Sequence, residues 1–281
     1  MIDNSQVLRE QMQNQHSGCT VIAVASGKGG VGKTSLSANL AICLAAEGKG
    51  VVLFDADMGL ANLDVVMNVP SRYNLSHFLS GQKQMKDIIA VGPCGVGIIC
   101  GANGIESLAD LTEFERQRLV NELDELAENS DVLIIDTGAG IHKSVISFCL
   151  CAGSVMVVAT PEPTAITDAY ALIKVLVGRN YKGRINLVVN MASTVEEGKK
   201  VYRQLASVVS RFLNADIFDG GVILKDEMFS SAVKARKPVV LSYPESVSAR
   251  SLLFMAKRMT RTYESGIEKQ SFFQKVVSKF F

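Results

Sequence analysis

No run of apolar residues in this 281-residue chain reaches the ~20 needed to span a bilayer. Residues 1–18 are polar and show no secretory signal, so the expected location is the cytoplasm. The six cysteines (Cys19, Cys43, Cys94, Cys100, Cys149 and Cys151) contain no C-x2-C pair, and His16, His77 and His142 do not cluster with them. Reduced thiols are the expected state, with a metal held by Cys149 and Cys151 as the alternative. The missing C-x2-C also argues against an iron–sulfur carrier. An excess of charge of one sign is lacking too: the net is +1, so no global field marks a nucleic acid or an acidic partner. Residues 19–263 hold no repeat, low-complexity stretch or Pro/Gly-rich linker. One domain is expected over 19–265, with appendages at 1–18 and 266–281.

What is present is a globular composition, 48% hydrophobic and 20% charged, too apolar for a disordered chain. The charge is unevenly spread. From Lys225 to Phe281 there are 11 Lys/Arg against 5 Asp/Glu, a net of +6, which suits an end that meets an anionic surface. Short apolar runs at Thr20–Ser26, Val51–Phe54, Val96–Cys100, Val132–Ile135, Val155–Ala159 and Ile185–Val189 read as strands. Helical patterns at Ser35–Ala46, Thr112–Glu128, Thr164–Val177, Val195–Leu213 and Ser246–Tyr263 alternate with them. Strands that are apolar throughout are covered on both faces. The expected fold is α/β, a doubly wound, mostly parallel sheet with helices on both faces.

Gly27-Lys28-Gly29-Gly30-Val31-Gly32-Lys33-Thr34 satisfies G-x-x-x-x-G-K-[ST] and sits between a strand and a helix. Glycines let successive backbone N–H groups curl around phosphate oxygens, and the following helix adds its positive end. Lys33 is placed to reach the β- and γ-phosphates, and the Thr34 hydroxyl to ligate Mg²⁺; Ser35 completes the loop. A chance match in a glycine-rich turn is the bland alternative, and the strand–helix context argues against it.

The extra lysine in Lys28-Gly-Gly-Val-Gly-Lys-Thr34 resembles the deviant Walker A ATPases, the MinD/ParA group and nitrogenase iron protein. The resemblance implies a MinD-like P-loop NTPase with ATP and Mg²⁺ as cofactors. It implies a homodimer in which Lys28 crosses to phosphates held by the other subunit, where its charge offsets repulsion between facing loops. Asp55-Ala-Asp57-Met-Gly-Leu-Ala-Asn62 resembles switch I, with Asp57 near the metal and orienting the attacking water; positioning of that kind suffices for slow ATP hydrolysis. Leu133-Ile-Ile-Asp136-Thr-Gly138-Ala-Gly140 resembles switch II, with Asp136 holding Mg²⁺ through water and the Gly138 amide sensing the γ-phosphate. Asn190 matches the asparagine that reads the adenine edge. Lys28, Lys33 and Asp57 are thus the catalytic candidates, and Gly27–Ser35, Asp136, Gly138 and Asn190 the nucleotide contacts. Strand-end caps are the alternative for both aspartates, and a turn for Asn190.

Asp55–Asp64 and Pro161-Glu-Pro-Thr-Ala-Ile-Thr-Asp-Ala-Tyr-Ala-Leu-Ile-Lys174 look like flagellar-number regulators of the FlhG/FleN type. Asp3-Asn-Ser-Gln-Val-Leu-Arg9 is similar to the N-terminal motif by which such regulators stimulate a GTPase of the signal-recognition-particle type, with Asn4 and Ser5 in place of Gln and Ala. The resemblance also implies a flagellar transcription activator and switch-complex proteins as partners.

Near the end of the chain, Phe272, Phe273, Val276, Val277, Phe280 and Phe281 recur on one helical face, with Lys275 and Lys279 opposite. This suits an interfacial helix at the inner face of the cell membrane, too short to span it; packing back onto the body is the alternative. Two such helices joined by ATP-dependent dimerisation would bind far better than one. Two other readings compete within the family. One is a MinD-like division-site ATPase. The other is a ParA-type partition ATPase, for which Lys234, Arg236, Lys237, Arg250, Lys257, Arg258 and Arg261 would meet nonspecific DNA. The phenylalanine-rich end argues against DNA. A metabolic enzyme on the same scaffold would need an acceptor pocket, which no motif marks.

Overall fold

The computed structural model describes residues 18–57, 62–101 and 112–263. The N-terminal motif and the apolar face of Phe272, Phe273, Val276, Val277, Phe280 and Phe281 lie outside the described residues, as does 58–61 of the first aspartate motif. The strands are β1 (Thr20–Ser26), β2 (Val51–Ala56), β3 (Ile89–Val91), β4 (Gly97–Ile99), β5 (Val132–Ala139), β6 (Ser154–Ala159), β7 (Arg184–Ala192) and β8 (Phe218–Leu224). Among them run helices α1 (Lys33–Ala46), α2 (Leu63–Met67), α3 (Leu75–Leu79), α4 (Met85–Ile88), α5 (Glu113–Glu128) and α6 (Lys143–Cys151). After these come α7 (Pro163–Gly178), α8 (Val195–Leu213), α9 (Glu227–Lys234), α10 (Val239–Ser242) and α11 (Val247–Tyr263).

The strands form one eight-stranded sheet in the order β3-β4-β2-β5-β1-β6-β7-β8. Every pairing is parallel except that of β3 with β4, as the unbroken apolar runs predict. Along β1 the side chains alternate between two cores. Val21, Ala23 and Ala25 pack on one face with residues of α3 to α8. Ile22 and Val24 pack on the other with residues of α1, α2, α9, α10 and α11.

Helix α1 has no polar side: ten of its fourteen residues are buried, because it lies between the sheet and α11. Burying Leu36, Leu40 and Leu44, each at most 1% exposed, stabilises by about 1.5–3 kcal/mol apiece. Leu40→Ala would cost roughly 2–5 kcal/mol. The consequence is functional, since the helix that presents its N-terminus to the glycine loop is held rigidly. In contrast α8 is a surface helix, with Gly198, Val201, Leu205 and Val209 inward and Thr194 capping its start by accepting from the Glu197 amide at 3.1 Å. Asp226 serves two helices at once. It caps α9 through the Met228 amide at 2.9 Å and accepts the Ser248 amide and hydroxyl of α11 at 3.1 and 2.7 Å.

Candidate active site

The glycine loop joins β1 to α1 at the carboxyl edge of the sheet, where open α/β sheets place ligands. Gly32 has φ 86°, and a Cβ there would overlap the Asn190 side chain, so the position admits glycine alone. A Cβ on Gly27 would overlap the Asp168 carbonyl of α7. The loop is thus braced from α7 and β7, and bracing continues from β5: the Gly140 amide donates to the Ser26 carbonyl at 2.8 Å, and the Ser26 hydroxyl to the Lys28 carbonyl at 2.9 Å.

Its two lysines part company. Lys33 is only 8% exposed, with Nζ 3.7 Å from Asp136 Oδ1. Ser37, one turn along α1, donates to the same oxygen at 2.9 Å. The other carboxylate oxygen, Oδ2, is buried without a hydrogen-bond partner. An orphaned buried carboxylate oxygen is costly unless something completes it, and a hydrated cation is the chemistry that fits. Burial pushes the Asp136 carboxyl above its ordinary range, opposed by the Lys33 charge and the Thr34 and Ser37 hydroxyls. Among the described residues no three His, Cys, Asp or Glu side chains converge as a cage. Mg²⁺ typically takes one or two protein ligands and completes its shell with waters and phosphate oxygens. Thr34 and Asp136 suit that arrangement.

Lys28 turns outward. Its Nζ donates to Glu162 Oε2 at 2.8 Å and Thr164 Oγ1 at 3.0 Å, so it rests on the start of α7 of its own chain. Glu162 and Thr164 lie inside the Pro161–Lys174 stretch that family resemblance singles out, yet no motif gave them this role.

Asp55, opposite Asp136 in the β2–β5 register, is a residue to which sequence reasoning assigned no function. Its carboxylate accepts the amides of Asp57 at 3.1 Å and of Asn62 and Leu63 at 3.2 Å. Burial, with the Asp136 charge, pushes its carboxyl up to about 7. Asp57 itself lies against Gly138, where an added Cβ would sit 3.5 Å from Asp57 Oδ1. The two aspartate motifs therefore meet over the glycine loop.

Asn190 is buried at the end of β7. Its Nδ2 donates to the Val31 carbonyl at 2.8 Å, and its Oδ1 accepts the Met191 amide at 2.9 Å. Met191 takes a left-handed φ of 58°. In this arrangement Asn190 holds the glycine loop. Ser35 extends the loop into α1, its carbonyl accepting from Asn39 Nδ2 at 2.7 Å. Cys149 and Cys151 are buried in α6, and burial pushes the Cys149 thiol up to about 12, against the thiolate a metal needs.

A family model described as an AAA domain matches residues 19–201. The antiactivator FleN of Pseudomonas aeruginosa is 39% identical over 250 residues, 89% of each chain. The flagellum site-determining protein YlxH of Helicobacter pylori is 34% identical over 246 residues, 87% of this chain and 83% of its own. Among solved structures, the septum site-determining protein MinD of Pyrococcus horikoshii, complexed with Mg-ADP, superposes with a TM-score of 0.71 at 24% identity. That match covers 89% of this chain and 100% of that one.

Proposed function

The chain belongs to the MinD/ParA family of P-loop ATPases, in the branch of the FlhG/FleN regulators, and from that premise we propose an ATP-dependent dimerising switch. In this reading it hydrolyses ATP slowly and regulates flagellar number and placement. Names of the relatives support the flagellar setting: one is an antiactivator and the other determines flagellar site. A transcription activator, a signal-recognition-particle-type GTPase and switch-complex proteins are the partners we infer.

The division of labour between two lysines of one loop supports the switch reading best. Lys33 is buried beside Asp136, while Lys28 is 39% exposed and held only by surface partners. Lys33 and the loop amides bind and orient the triphosphate. Thr34 and Asp136 would hold Mg²⁺, which would neutralise charge on the phosphate oxygens. Asp57 orients a water and takes up its proton through the carboxylate. Gly138, against which Asp57 lies, couples the filled site to the β5 loop. Lys28 leaves Glu162 and Thr164 when a second subunit presents its phosphates. Residues 266–281 then grip the inner membrane surface in pairs, and hydrolysis releases both contacts. None of the helices among the described residues is long and apolar enough to cross a membrane.

The test is oligomeric state against nucleotide for Asp57→Ala. With ATP the variant is expected to stay dimeric while the parent chain returns to monomer as ATP is spent. A variant that remains monomeric at saturating ATP would sink the switch.

A further inference from the structure

Helix α11 turns Leu252, Met255, Ala256 and Met259 into the core. Its opposite side lines up Val247, Arg250, Phe254 and Lys257, spaced three, four and three residues apart on one outward stripe. Phe254 is 69% exposed and Val247 43% exposed. Exposed Arg250 and Lys257 flank the ring on the turns before and after it. Next to α11, α10 and the turn after it add Leu241 and Tyr243, 47% and 38% exposed, and the end of α9 and the turn that follows it carry exposed Lys234, Arg236 and Lys237. Two acids intrude: Glu245, exposed in the turn before α11, and Glu47, whose Oε1 lies 3.8 Å from Lys257 Nζ. The nucleotide site uses none of these side chains.

We propose that this outward face of α11 is a second lipid-contact surface, which lays the ATPase body against an anionic bilayer. Charge complementarity selects the occupant. Lipid phosphates suit Arg250 and Lys257, and the boundary between headgroups and acyl chains takes a phenyl ring set between long cationic stems. Duplex DNA would satisfy the cations and leave Phe254 in water. Residues 264–281 also continue directly from α11, and their sequence repeats the mixture, Phe272, Phe273, Phe280 and Phe281 with Lys275 and Lys279. The inference rests on the reading of that tail as a membrane grip and adds orientation to it. The tail supplies attachment, and α11 fixes which side of the body faces the lipid.

The absence of tryptophan from the chain provides the probe. In the full chain, Phe254→Trp places the sole indole on the stripe, and Phe273→Trp places it in the tail. Each is mixed, with ATP, with vesicles of phosphatidylcholine alone or with added phosphatidylglycerol, their acyl chains brominated as quenchers. The expected result is a blue shift and quenching of both indoles on the anionic vesicles. Arg250→Ala with Lys257→Ala in the Phe254→Trp chain should weaken vesicle binding about twenty-five-fold, since each basic residue near such a surface counts for about a factor of five. Quenching at position 273 without quenching at 254 overturns the second surface and leaves the tail reading standing. Silence at both positions overturns both. A shift at 254 with duplex DNA but not with vesicles overturns it in favour of DNA.

Discussion

Exchanging Glu162 for glutamine removes the charge that keeps Lys28 on its own subunit. Nζ lies 2.8 Å from Oε2, and the two side chains are 39% and 65% exposed, so water screens them well. An exposed pair of this kind contributes about 0.2–1 kcal/mol. The proposed dimer would break the contact twice, once per subunit. Glu162→Gln should therefore favour the ATP-bound dimer by about 0.4–2 kcal/mol, roughly two- to thirtyfold in Kd. Sedimentation equilibrium with ATP, in the Asp57→Ala background so that turnover does not drain the dimer, reads this directly. Raising ionic strength from about 0.1 to about 1 M shortens the screening length from about 10 to about 3 Å and should narrow the gap between parent and variant. Lys28→Ala in the same background should abolish the dimer. If Glu162→Gln dimerises no more tightly than its parent, the contact with Glu162 does not restrain Lys28, and the reasoning fails.

Asn190→Ala should weaken ATP and GTP binding alike, by about 0.5–1.5 kcal/mol for one lost hydrogen bond to the loop, as calorimetric titration would show. Selective loss of ATP over GTP would instead assign Asn190 to base reading. Asp226→Ala should cost about 1–3 kcal/mol, since it removes the cap of α9 and the tie to α11 together, measured by denaturant unfolding. Burial opposes ionisation of Asp226, but the Ser248 hydroxyl and amide and the Met228 amide outweigh it and hold the carboxyl below its ordinary range. Its contribution is therefore present above the ordinary aspartate range and lost as pH falls through the lowered value. The gap between Asp226→Ala and parent should close in acid.

Most of the sheet was legible because its central strands are unbroken apolar runs. Strand β8 was not. Asp219-Gly220-Gly221 interrupts its hydrophobic pattern, and the register slips there, Leu187 pairing with Asp219 but Val188 with Gly221. Helix α6, Lys-Ser-Val-Ile-Ser-Phe-Cys-Leu-Cys, escaped notice because it is only nine residues long, and so short an apolar stretch does not separate helix from strand by its pattern. At the site, eight contiguous residues announced the glycine loop. Ser37 and Glu162 stayed hidden because each acts through a partner far away in the chain, Asp136 and Lys28. Asn190 was singled out by family resemblance as an adenine contact, and its bond to the Val31 carbonyl depends on how closely β7 approaches the loop.

One carboxylate, Asp55, fastens the amides on either side of residues 58–61. Because the Leu63 amide is held as well, the end of β2 and the start of α2 share one anchor. A change of charge at that carboxylate would loosen Asp57 and the first turn of α2 together.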